Sequence, residues 1–222
     1  MRRMQDGILL IDKPANMTSF GVVARIRRVL SQRAGKKVKV GHTGTLDPFA
    51  TGLMIIVTGT ECRNAEKYSK LDKVYEATII LGQKSTTGDP EGEITRVSDD
   101  VPSRNDIETV LQRFVGEITQ RPPIYSAIKV DGVRAYKLAR KGEAVEIPLR
   151  MVTIHSLELI DYSYPELKIR AHVSSGTYIR TLAEDIGEQL GVGAYTKELR
   201  RTRIAAYDIA DALTLDTYGI DS

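Results

Sequence analysis

The sequence contains no tryptophan, three phenylalanines, three histidines and a single cysteine. One cysteine closes no internal disulfide and anchors no multi-thiolate zinc site, which fits a reducing compartment and leaves Cys62 the role of a buried structural thiol. His42, His155 and His172 lie far apart along the chain, and no two have the spacing that puts ligands on one helix face, so they predict no metal centre. No stretch approaches about 18 consecutive apolar residues, and the arginines near Met1 have no apolar signal core behind them. The expectation is a cytoplasmic protein with no membrane span. No Gly-Lys-Ser/Thr closes a glycine-rich turn, which excludes a P-loop, and nothing in order or spacing points to a Ser-His-Asp triad. Internal repeats and low-complexity linkers are also missing.

Excess charge is small too. A net +3 over 222 residues is too little to announce a nucleic-acid partner by itself. Its distribution says more. Arg25, Arg27, Arg28, Arg33, Lys36, Lys37 and Lys39 crowd one span, Lys129, Arg134, Lys137, Arg140 and Lys141 a second, and Lys197, Arg200, Arg201 and Arg203 a third; acids gather around Asp89 to Asp106. Each cluster alone reads equally well as a solvated face, but three of them flanking loops favour a polyanion.

The chain is long enough for a substantial core without staples, in one large domain or two small ones. Gly7 to Pro14 reads as a buried strand stopped by proline, after which Thr18 and Ser19 offer N-caps. A helix follows with Phe20, Val23, Ile26, Val29 and Leu30 on its core face. Leu53 to Val57 is a buried strand, Thr60 to Ser69 a second helix, and Val74 to Leu81 a strand. Gly82 to Asp100 has little to bury and reads as a long mobile loop. Ser103 and Asp106 form a capping box for a helix bearing Ile107, Val110, Leu111 and Phe114, closed by Gly116. Residues 121–150, with two prolines, tyrosines and cations, read as an inserted arm. Met151 to Tyr162 and Glu166 to Ser174 are alternating strands about a Tyr-Pro turn; Thr177 opens an amphipathic helix stopped by Gly191, and a last strand covers Thr196 to Ala206.

Between the first two of these strands lies GHTGTLDPFATG, from Gly41 to Gly52. It has no helical periodicity, and its one carboxylate, Asp47, precedes Pro48, which fixes its own φ and biases Asp47 toward extended backbone. A stiffened loop of this kind either aims an acid or caps its own turn, and its local chemistry alone favours the turn.

Taken with IDKPANMTS (Ile11 to Ser19), VYEATIILG (Val74 to Gly82), PPIYSAIKVDGVRAY (Pro122 to Tyr136), SSGTYIRTL (Ser174 to Leu182) and LRR (Leu199 to Arg201), in that order, this loop makes the chain resemble the TruB family of bacterial tRNA pseudouridine synthases. The guide-dependent archaeal and eukaryotic relatives share the loop only in outline. The resemblance implies an α/β protein of α+β type: the pseudouridine synthase fold, a twisted, largely antiparallel mixed sheet flanked by helices, with residues 121–150 as an RNA-gripping arm. It implies a catalytic domain over 1–215, with the small C-terminal RNA-binding domain usual in the family absent after it. The implied activity is isomerisation of the uridine at position 55 in the tRNA T loop, without cofactor, metal or guide RNA, by a monomer.

Residue by residue, Asp47 matches the family's catalytic aspartate and Arg180 the arginine that pairs with it. Asp89 matches a further carboxylate of that network, and Tyr75 the tyrosine that stacks on the target base. Tyr178 and Leu199 match residues lining the uracil pocket, and His42 the residue that fills the space of the flipped nucleotide. Lys129, Arg134, Lys137 and Arg140 suit phosphates of the T stem-loop, with Lys141 beside them, while Tyr125 and Tyr136 stack or anchor the arm. Without the motifs, Tyr75 and Leu199 would read as core residues and Arg180 as half of a structural ion pair. Asn16 stands where the family usually has glycine, Thr86 where it often has an acid, and Phe20 and Gly21 where it has more polar residues.

Overall fold

Strand β1 (Gly7–Lys13) pairs antiparallel with β3 (Thr51–Thr58) in unbroken register, from Gly7 opposite Thr58 to Lys13 opposite Gly52. The computed structural model describes residues 6–124, 129–130, 133–134 and 147–219. Contacts divide the chain into two compact units, Met1–Tyr75 with Arg200–Ser222, and Glu76–Leu199.

In the first unit β3 is apolar from Leu53 to Val57 because it is covered on both faces, and all five residues are buried. Strand β2 (Val40–His42) lies antiparallel to its far end, with His42 opposite Ile56. Arg200 and Arg201, in strand β12 (Ala194–Ile204), run parallel to Thr51 and Gly52, and β13 (Tyr207–Asp208) folds back on β12. Helix α1 (Ser19–Ala34) packs on β2. It starts where the Thr18 hydroxyl accepts the Gly21 amide and stops at Gly35, whose φ of 64° is a left-handed cap. Its buried face is Ser19, Val22, Val23, Ile26 and Leu30. Phe20 does not join it: the ring is 65% exposed, with the Arg27 guanidinium 5.9 Å from its centroid. A residue next to the core stripe is about 100° off it, whatever its hydrophobicity. The single helix expected over 60–69 is a 3₁₀ segment, Gly59–Asn64, followed by a short α2 (Ala65–Ser69).

In the second unit β4 (Lys73–Leu81, entering from the first), β11 (Glu166–Val173), β10 (Arg150–Ser163) and β7 (Gly116–Gln120) neighbour one another in that order. The paired registers of β10 with β11 and with β7 are antiparallel. Gly116 thus opens a strand, while helix α3 (Arg104–Arg113), held by the Ser103–Asp106 capping box, ends at Phe114. Helix α4 (Ile179–Gln189) buries Ile179, Leu182, Ala183 and Ile186. Residues 82–100 are not a structureless loop. Strands β5 (Gln83–Ser85) and β6 (Ile94–Arg96) make a hairpin, and Asp89 at its turn is buried. The backbones of Lys129–Val130 (β8) and Val133–Arg134 (β9) form a second small hairpin; Tyr125, Tyr136, Lys137, Arg140 and Lys141 lie outside the described residues. The result is a mixed α+β fold of largely antiparallel strands, as expected.

Candidate active site

The loop between β2 and β3 is tied down on both chain sides of Asp47. Before it, Ser19, the first residue of α1, clamps Leu46: its hydroxyl accepts the Leu46 amide at 2.8 Å and donates to the Leu46 carbonyl at 2.9 Å. After it, Pro48 offers its carbonyl to the Lys13 ammonium at 3.1 Å. Lys13 is fully buried at the end of β1, where Nζ also donates to the carbonyls of Pro14 at 2.8 Å and Met17 at 2.7 Å. Donation to three carbonyls helps make burial of this charge tolerable. The Ala50 amide closes a turn on the Asp47 carbonyl at 3.2 Å. Asp47 itself is half-buried. Asn16, in the turn between β1 and α1, has a φ of 60°. Asparagine is among the few non-glycine residues that adopt the left-handed region readily, so the turn keeps a backbone suited to glycine.

His42 stands on β2 in this unit, and Tyr75 near the start of β4 is buried. The Tyr75 hydroxyl lies 3.4 Å from Nη1 of Arg201. Arg201 is 1% exposed and donates through Nε to the Leu53 carbonyl at 2.7 Å and through Nη2 to the Gly44 carbonyl at 3.1 Å. Arg200 forks onto Asp12, at 2.7 and 3.1 Å, and reaches the Thr51 hydroxyl. Arg203 pairs with Asp208, and in the second unit Lys197 pairs with Glu166. Of the third basic cluster, then, only Arg201 is buried, whereas Lys197, Arg200 and Arg203 form ion pairs with carboxylates at the surface.

In the second unit, α4 delivers Arg180 from inside the fold. Its Nη1 donates to Asp89 Oδ2 at 2.9 Å and to the Thr87 carbonyl at 2.7 Å, and both side chains of the ion pair are almost fully buried. Asp89 Oδ1 accepts from the Thr87 hydroxyl at 2.6 Å and the Glu91 amide at 3.0 Å, and its carbonyl accepts from the Ser85 hydroxyl at 2.5 Å. The hairpin turn thus exists to hold one carboxylate against one guanidinium. At the family-variant position, Thr86 instead closes the hairpin, its hydroxyl accepting the Glu93 amide. Glu184, on the same helix as Arg180, is raised by burial, with Arg180 pulling it back down. Tyr178, at the N-terminus of α4, is fixed by a buried glutamine: Gln120 accepts the Tyr178 amide at 3.1 Å and donates to its carbonyl at 3.3 Å. Leu199 is buried on β12.

The structure thus brings Asp89 together with Arg180, and Tyr75 with Arg201. Sequence reasoning assigned no role to Lys13, Ser19's second function, Thr87, Gln120 or Arg201 as an internal fork; the available signals were Lys13 directly before a proline and Arg201 inside a quoted motif. His155 and His172, far apart in sequence, meet on β10 and β11 with ring centroids 4.6 Å apart, so their distance along the chain did not describe their distance in space.

The TruB family pseudouridylate synthase N-terminal domain matches residues 27–179, and the tRNA pseudouridylate synthase B C-terminal domain matches residues 180–218. The chain is 47% identical to tRNA pseudouridine synthase B of Azoarcus sp. (strain BH72) over 97% of its own length and 70% of that protein. It is 47% identical to the enzyme of that name from Phocaeicola vulgatus, covering 95% of this chain and 91% of that one. Among solved structures, a Cbf5-Nop10-Gar1 complex superposes with a TM-score of 0.74 at 32% identity, covering 96% of this chain and 53% of the other. An H/ACA RNP bound to a substrate RNA containing 2′-deoxyuridine gives 0.71 at 29%, covering 96% and 52%. The chain spans about half the length of these two solved relatives.

Proposed function

The chain belongs to the TruB family of pseudouridylate synthases, and from that membership we propose that it converts the uridine at position 55, in the T loop of tRNA, to pseudouridine. Breaking the N1–C1′ bond and rejoining uracil through C5 needs no redox partner and no external group: C5 gives up a proton and N1 gains one. What the reaction needs is a held carboxylate. We assign that role to Asp47, attacking C1′ or removing a sugar proton. The observation that carries the assignment is the tethering of Leu46 by Ser19 and of Pro48 by Lys13, which leaves Asp47 as the one acid on a loop fixed at both neighbours.

A carboxylate screened from water stays ionised beside a cation, and Arg180, a guanidinium already oriented by Asp89 and the Thr87 carbonyl, is the proposed counter-charge. Taking the uridine out of its loop costs a few kcal/mol. Tyr75 stacks on the flipped base, Tyr178 and Leu199 line its pocket, and His42 occupies the space it leaves. Lys129, Arg134, Lys137 and Arg140 on the 121–150 arm hold phosphates of the T stem-loop, giving affinity that falls with salt. The protein acts without a guide RNA, as a monomer in the cytoplasm; among the described residues no helix is long and apolar enough to cross a membrane.

The test is a map of pseudouridine in total RNA with and without the active chain. Loss of the mark in the T loop alone supports the proposal. Loss elsewhere assigns another RNA target, and no change assigns an RNA-binding protein built on the synthase scaffold.

A further inference from the structure

Within the third basic cluster Arg201 differs from its neighbours. Lys197, Arg200 and Arg203 each meet a carboxylate, whereas the partners of Arg201 are all neutral: the carbonyls of Leu53, Gly44 and, at 3.5 Å, Thr45, together with the Tyr75 hydroxyl. At 1% exposure it is closed to an RNA phosphate. Enclosing a guanidinium among neutral acceptors is an expensive way to fill space, and an apolar side chain of similar volume would serve stability as well or better. What the guanidinium adds is direction, because its planar fork fixes several acceptors at once, which a lysine's single ammonium does not reproduce.

The acceptors are informative. Gly44 and Thr45 begin the segment that carries Asp47, and Leu53 follows its end. The main chain of Arg201 meets that end too. It runs beside Gly52 in parallel register, and Gly52 has a φ of 106°, where a Cβ would run into the amide nitrogen and carbonyl oxygen of Arg201. One residue therefore grips the Asp47 loop on both sides of the carboxylate, its side chain at Gly44 and Thr45 and its backbone at Gly52. Through Nη1 it also touches the hydroxyl of Tyr75, whose ring centroid lies 5.9 Å from the guanidinium carbon.

We infer that Arg201 is a positioning residue of the reaction, locking the Asp47 loop and the Tyr75 ring into one register without contacting RNA. The inference rests on the synthase assignment, and its test keeps the two apart. Wild type, Arg201→Lys, Arg201→Gln and Arg201→Ala are assayed on a tRNA transcript for kcat, KM, tRNA Kd and melting temperature. The wild type forms pseudouridine; a wild type that forms none overturns the synthase assignment itself. In the folded variants kcat falls by about tenfold or more, the scale expected when reacting groups lose register, while Kd stays within about twofold. Guanidinium ion at low millimolar concentration restores turnover to Arg201→Ala, and methylammonium does not. A folded Arg201→Lys with kcat within about twofold of wild type overturns the inference. So does weakened tRNA binding at unchanged kcat, which would place Arg201 on RNA, and so does activity that falls only in step with the folded fraction, which would make its role structural alone.

Discussion

At Asp185, on α4, burial pushes the carboxyl up to about 6, and Glu188 adds to the rise. A carboxyl whose folded value lies above its unfolded value of 3.8 binds its proton more tightly in the native state. Stability from this group is therefore full below the unfolded value and is lost as pH climbs from about 4 through about 6. Asp185→Asn is expected to melt higher than wild type at pH 7.5 and to lose that advantage at pH 4; equal melting temperatures at pH 7.5 would contradict the reading. Residues of this kind mark where single-sequence reading stops. Sequence singled out Asp47, Arg180 and Tyr75 because they sit in ordered motifs, and Asp89 only through the family resemblance. Lys13 and Gln120 were not singled out, because a lysine or glutamine on a strand is usually solvated, and only the carbonyls it meets across the fold, Pro48 or Tyr178, show that it turns inward.

Elements with a strong local pattern read well and weakly patterned ones did not. Helix α1 showed its N-cap, Thr18, as one of two candidates, and α3 its capping box. The β5–β6 hairpin was missed because its strands are three residues long and polar, with Ile94 exposed, so nothing in them repeats at the period of a strand. Its coherence comes from the turn, where Ser85 and Thr87 hold Asp89 and Asp89 holds Arg180. Asp89→Ala would remove a buried carboxylate that accepts from Arg180, the Thr87 hydroxyl and the Glu91 amide, so it is expected to destabilise the protein by about 3–5 kcal/mol. Urea unfolding measures this, and a loss under about 1 kcal/mol would show that the fold does not depend on the Asp89 carboxylate.

For the molecule as a whole, alternating patterns gave the strands but not their partners. No local signal told that Arg200 and Arg201 would run parallel to Thr51 and Gly52, about 150 residues away. The motif order supplied what periodicity could not. Charge counts alone did not separate the cluster at Lys197 to Arg203 into a buried Arg201 and three cations paired with carboxylates at the surface; the arm remains an electrostatic contact proposed for RNA. If the catalytic units and that arm suffice for recognition, a minimal T-arm stem-loop is modified with a kcat/KM close to that of whole tRNA. A strong preference for whole tRNA would place essential contacts elsewhere.

The central claim is that Asp47, fixed by its neighbours, performs the chemistry. Because the uracil rejoins the sugar through C5, a tRNA transcript made with uridine tritiated at C5 loses one tritium to water for each pseudouridine formed. With wild-type protein the release is expected to reach one equivalent per tRNA. With Asp47→Asn it is expected to stay at background while tRNA binding holds within about twofold, since the loop's tethers at Leu46 and Pro48 remain. Appreciable tritium release by Asp47→Asn would contradict the account.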